Sequence, residues 1–174
     1  MNKIEFKNEI ISMGPVKPAG STTVQDAVKN GHYTDHYSYL ENELNAKIFK
    51  NWPTDLHEKE IFIGLVPSGE VIPKDTVQEY WQKRGYEIPQ HADAYLHQLM
   101  CNLPEDKMPA ELKGKYLLAH TDTPNFRYGR GDECRLYVFR DGSIRQLSMT
   151  FTSHDWRDHR WGFVLSKINS ESQS

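Results

Sequence analysis

An α+β fold, a mainly antiparallel sheet with about three helices packed on one face, is what this chain predicts, and three observations carry that expectation. Apolar residues recur at helical spacing between Tyr33 and Leu103, short strand-like runs dominate from Lys115 onward, and Asp141-Gly142 sits between two alternating segments. Helices and strands are grouped rather than strictly alternating, which argues against a regular parallel α/β arrangement.

Residues 1–31 read as a flexible N-terminal arm, because Gly, Pro, Ser and Thr crowd positions 12–31 with one short helical possibility. A single α+β domain then spans 32–168. Tyr33, Tyr37, Leu40, Leu44 and Ile48 repeat at helical spacing until Trp52-Pro53 closes the run. The stretch IFIGLV, residues 61–66, is apolar on both alternate faces and therefore predicts a central strand; the Pro67-Ser68-Gly69-Glu70 turn leads to a short strand at Val71-Ile72. Asp75 with Gln78 three residues on predicts a capped helix bearing Val77, Tyr80 and Trp81, with Gly85 as its stop. Ala92, Tyr95, Leu96, Leu99 and Met100 form the core stripe of the next helix, which Leu103-Pro104 ends.

YLLAH, residues 116–120, predicts a short buried strand, followed by a Gly-, Pro-, Asp- and Arg-rich loop over 121–133. Asp141-Gly142 as a two-residue turn predicts a hairpin over 135–151. Phe139 then faces Ile144 and Leu136 faces Leu147. The core-facing side holds Leu136, Val138, Leu147, Met149 and Phe151, with Arg140 and Arg145 as diagonal neighbours at its tip. WGFVLSKI, residues 161–168, supplies a last strand, and 169–174 form a polar tail.

At 174 residues, with 37% hydrophobic and 26% charged residues and 7 Phe, 9 Tyr and 4 Trp, the chain has enough apolar surface to build a core. The first ten residues carry charges where a signal peptide needs an apolar run, and no stretch reaches the roughly 18 apolar residues of a membrane span, so the expectation is a cytoplasmic protein without a membrane partner. Two cysteines, Cys101 and Cys134, read as structural thiols rather than a disulfide framework. A net charge of −3 gives no global attraction for nucleic acid, but its distribution is uneven: residues 1–110 hold 11 basic against 16 acidic residues, and 111–174 hold 10 against 8. Seven of the eight arginines lie between Arg127 and Arg160, and a guanidinium fork suits phosphates, carboxylates and aromatic faces.

No phosphate-binding glycine loop, zinc-finger spacing, nucleophile elbow or His-Glu-x-x-His motif occurs. Two weaker constellations remain. His120 and Asp122 stand at one predicted strand end, and His154, Asp155, Asp158 and His159 precede another. Imidazoles and carboxylates of that kind suit acid–base catalysis or a divalent metal in a small hydrolase or nuclease, although their spacing fixes no coordination geometry and no cofactor follows from it. His32 and His36 flank a helix start, and His91 and His97 are about 120° apart around a helix, so neither is a chelating pair.

The other constellation interleaves Phe126, Arg127, Tyr128 and Arg130 in the loop with Arg140 and Arg145 on the hairpin. Aromatic rings can stack on bases while arginines hold phosphates. Asp132, Glu133, Asp141, Asp155 and Asp158 dilute that charge and are able to neutralise it pairwise. The leading expectation is a binding or regulatory protein that meets an anionic partner, nucleic acid or an acidic protein surface, through its C-terminal sheet and loop. The alternative is the His/Asp-dependent enzyme.

Overall fold

A computed structural model describes residues 10–18, 33, 35–36, 53, 55–121, 126–128, 132–157 and 160–169. Its strands are β1 (Ile10–Val16), β2 (Asp35–His36), β3 (Lys59–Leu65), β4 (Tyr86–Glu87), β5 (Tyr116–Leu118), β6 (Phe126–Tyr128), β7 (Asp132–Asp141), β8 (Ile144–Phe151) and β9 (Trp161–Lys167). The α-helices among the described residues are α1 (Val77–Gln82) and α2 (Ala92–Asn102). All nine strands join one sheet in the order β1-β3-β9-β5-β7-β8-β2, with β4 on β9 and β6 on β7.

The α+β class holds, with three corrections. The sheet is mixed: β5 runs parallel to β9 and β2 parallel to β8, while the other pairings are antiparallel. Two α-helices, not three, occur among the described residues. The helix expected from Tyr33 does not include Asp35 and His36, which are extended against Gln146 and Leu147; positions 37–50 of that helix lie outside the described residues.

The third correction concerns the faces. Ile61, Ile63, Leu117, Leu136, Val138, Leu147 and Val164 pack with Ala92, Tyr95, Leu96, Leu99 and Met100 of α2. Phe62, Leu118, Phe163 and Leu165, the alternate residues of the same strands, pack instead with Val77 and Trp81 of α1 and with Trp156. The helices therefore lie on opposite faces rather than on one. IFIGLV is apolar at every position because β3, next to the edge, is covered on both sides.

The contact between α1 and β3 is close. A methyl group at Gly64 would come within 2.6 Å of Trp81 Cη2 and 2.5 Å of Leu165 Cδ1, so the indole occupies the space a side chain would need.

Three local expectations also change. Ile10–Val16, inside the stretch read as an arm, forms β1 antiparallel to β3, with a bulge between Ser12 and Gly14; Gly14 (φ 78) and Pro15 interrupt the alternation that would have marked it as a strand. Asp75 does not cap α1. It lies within a 3-10 turn, Lys74–Thr76, whose first backbone N–H donates to the Asp155 carboxylate, and Gln78 accepts from the Ile88 N–H. Val71-Ile72 is no strand; Ile72 makes an isolated bridge to Trp156. Gly85 does end the helical segment, with φ 85 and its N–H donating to the Gln82 carbonyl.

The hairpin forms one residue later than expected. Asp141 pairs with Ile144, so Gly142 and Ser143 make the turn, and only Gly142 of the two has positive φ (54). A two-residue turn with glycine first needs no left-handed aspartate, which a turn on Asp141-Gly142 would have required. Partners shift by two residues along β8, so the alternation of faces is kept: Leu136 now opposes Met149, and Arg140 stands directly opposite Arg145; Phe151, expected on the core-facing side, is instead 47% exposed at the last position of β8.

Candidate functional site

Sheet alternation places Arg140 and Arg145 on the α2 side, and there they do structural work. An Arg145 amino group donates to the Met100 carbonyl and an Arg140 amino group to the Leu103 carbonyl. The last carbonyls of a helix lack intrahelical donors and carry the negative end of its dipole, so two guanidinium groups stabilise the end of α2. Arg140 is only 5% exposed. Burial, and then the neighbouring Arg145 charge, lowers its pKa, against the opposing pull of Glu105. Arg145 also lies near a hydrogen-bonded row: the Tyr33 hydroxyl is 2.9 Å from His97 Nδ1 and Cys101 Sγ is 3.4 Å from His97 Nε2. Burial pushes the Cys101 thiol up and, with Arg145, pushes His97 down to about 4, so the row is neutral at pH 7 and Cys101 has no thiolate character.

The opposite face carries a different surface. On β5, Tyr116 pairs with Phe139 of β7 on one side and with Trp161 of β9 on the other, so three rings form a row across three strands. Tyr116 lies 5.0 Å from Phe139 and 5.1 Å from Trp161 by ring centroid, tilted 36° from each. Tyr137, one row further along β7, stands nearly perpendicular to Tyr116 and Trp161 at 5.5 and 5.6 Å. All four are partly exposed, and the phenol groups of Tyr116 and Tyr137 make no hydrogen bond among the described residues. Sequence periodicity flagged these aromatics only as strand residues, because their assembly depends on the parallel pairing of β5 with β9.

Trp156 closes one end of this surface. It is fully buried, 4.9 Å from Trp161 and 5.5 Å from Phe163, and its indole N–H has no partner among the described residues. His120 packs against it at 6.1 Å and His154 at 4.5 Å, so these two sequence-predicted histidines converge on one indole. Asp155 is engaged elsewhere: it accepts from the Lys74 N–H and lies 3.5 Å from Arg157. Asp122, Asp158 and His159 lie outside the described residues. No group of three or more His, Cys, Asp or Glu is placed to hold a metal ion among the described residues.

No known family, curated protein or solved structure matches the chain. The arrangement itself must therefore carry the functional argument. Phe126, Arg127 and Tyr128 form β6, paired with the start of β7; nothing is described of their side chains, and Arg130 lies outside the described residues. Arg135 is buried on the aromatic side, where its Nε donates to the Thr121 carbonyl and fixes the chain just beyond β5. Among the described residues no helix is long and apolar enough to cross a membrane.

Proposed function

We propose that this is a binding protein that holds an anionic partner against the face of its C-terminal sheet opposite α2. One observation carries the reading: Trp161, Tyr116 and Phe139 present a continuous, partly exposed aromatic row on the face that α2 does not cover. Lys113, Lys115, Arg157 and Arg160, all in segments flanking the row, supply positive charge. Arg140 and Arg145 drop out of the contact surface because they hold the end of α2. Titrating labelled protein with polyglutamate and with a single-stranded oligonucleotide, followed by NMR, should move amide signals on β5, β7 and the start of β9. Shifts confined to the α2 side, or none with either polyanion, overturn the reading.

A second reading rests on His120 and His154 meeting at Trp156: a small hydrolase in which the two imidazoles act as acid and base, with or without a metal. Hydrolysis of a nitrophenyl phosphodiester should then fall at least tenfold in His120→Gln and His154→Gln, as loss of a general acid or base does. Equal rates in all three proteins discard the enzyme. Calorimetric titration with zinc and manganese separates the metal version.

A further inference from the structure

We infer that the partner of this face is single-stranded nucleic acid, its bases laid along the Trp161-Tyr116-Phe139 row; the inference rests on the proposed binding reading and names its ligand. The three rings lie on neighbouring strands in direct register and are tilted together, so their exposed parts form a strip rather than isolated spots. Every nucleobase has a π face, and stacking on such a strip requires bases free of a duplex.

The strip continues in a polar group able to read base edges. Gln146, partly exposed, opposes Phe139 and extends that row onto β8 with an amide on the same face, whereas Ser148, opposite Tyr137, is buried. An acidic peptide would leave the aromatic strip without a matching surface.

Charge at the row's end has the sign that phosphates need. Lys115 and Arg160 immediately precede Tyr116 and Trp161, whose strands start side by side, and the Tyr116 N–H donates to the Arg160 carbonyl. Lys113 and Arg157 are exposed nearby. Among the described residues, Glu111, Asp141 at the end of β7, and Asp155, which is already paired with Arg157, offset part of this charge; Asp158, between Arg157 and Arg160 in the sequence, lies outside the described residues. A strand of nucleic acid running across the sheet would thus have its backbone over Lys113, Lys115 and Arg160 while its bases cover the rings.

Fluorescence anisotropy of labelled oligothymidylate, about twelve nucleotides long to cover one such site, tests this, with the corresponding duplex and with polyglutamate as competitors. Tyr116→Leu and Phe139→Leu keep apolar bulk while removing the π face, so the sheet stays packed; each should weaken oligothymidylate binding about tenfold. Lys115→Gln should lower the log-log salt slope by about one. Duplex should compete poorly. Circular dichroism and melting temperatures equal to wild type show that the variants are folded, and if either leucine variant melts lower, Tyr116→Phe and Phe139→Tyr, which retain stacking, should bind like wild type. Oligothymidylate affinity that is absent, or insensitive to both leucine variants, overturns the inference. If polyglutamate alone binds and shifts the β5 and β7 amides, the nucleic-acid assignment fails while the anionic-partner reading stands; if neither polymer binds, both fail.

Discussion

At the scale of single residues, the arginines show how one residue type serves different ends within one short segment. Arg140 is buried and satisfies a helix carbonyl, whereas Arg157 is exposed and pairs with Asp155 across 3.5 Å. Arg140→Gln should therefore cost about 1–3 kcal/mol in urea denaturation, since the Leu103 carbonyl loses its charged donor inside the protein. Arg157→Gln should change stability by less than about 1 kcal/mol, as exposed pairs do. Equal effects would mean that Arg140 does not hold the end of α2. His97 gives a second prediction, in pH. Its folded pKa is held at about 4 by burial and by Arg145. In the unfolded chain it is about 6.5, so the unfolded state takes up the proton first as pH falls. The stability present above pH 6.5 should decline toward pH 4, by up to about 3 kcal/mol from this residue. Comparison with His97→Asn isolates it from the carboxylates: the variant should lose less stability between neutral and acid pH, and identical pH profiles would refute the assignment. These arginine and histidine roles were not legible locally, because Met100 and Leu103 lie 45 and 37 residues from Arg145 and Arg140.

At the scale of elements, the best-read segments were those whose pattern matches their own surroundings. All five residues of the predicted α2 stripe are buried, and Gly85 ends the segment it was expected to end. Caps and turns fared worse. The donor that starts the 3-10 turn before α1 is satisfied from Asp155, 81 residues away, so a local capping pattern at Asp75 and Gln78 had no bearing on it. The hairpin between β7 and β8 was legible, but its turn was misplaced by one residue because Gly142 is compatible with positive φ at either central position. The α1–β3 contact makes the sharpest element-level prediction. Gly64→Ala forces a methyl into the Leu165 side chain and the rigid Trp81 indole, which cannot give way as a flexible chain end can, and should cost about 1–3 kcal/mol or more. Gly69→Ala, where nothing lies within 4 Å, tests the separate penalty of a positive φ (83) without a clash. Should Gly64→Ala melt no lower than wild type, Trp81 does not rest on that glycine.

For the whole molecule, coverage of the sheet by the described residues is uneven, and stability should follow that unevenness. Strands β3 and β9 are buried on both faces by α2 and by α1 with Trp156, whereas β1 is an edge strand with a bulge. Hydrogen exchange should therefore leave the amides of Ile63, Val164 and Leu165 protected to near the global unfolding limit, with those of β1 released first. Uniform protection across the sheet would contradict a core centred on β3 and β9. Composition and periodicity alone determined that the chain is an α+β protein, which residues line α2, that residues 61–66 bury both faces, and that residues 135–151 form a hairpin, because each is encoded by side-chain alternation within one element. Tertiary structure alone decided that the helices take opposite faces, that β5 lies parallel to β9, that Arg140 and Arg145 serve α2, and that Trp161, Tyr116 and Phe139 form one row. Those outcomes depend on which strands become neighbours, and periodicity marks the two faces of a strand without naming what will pack against either.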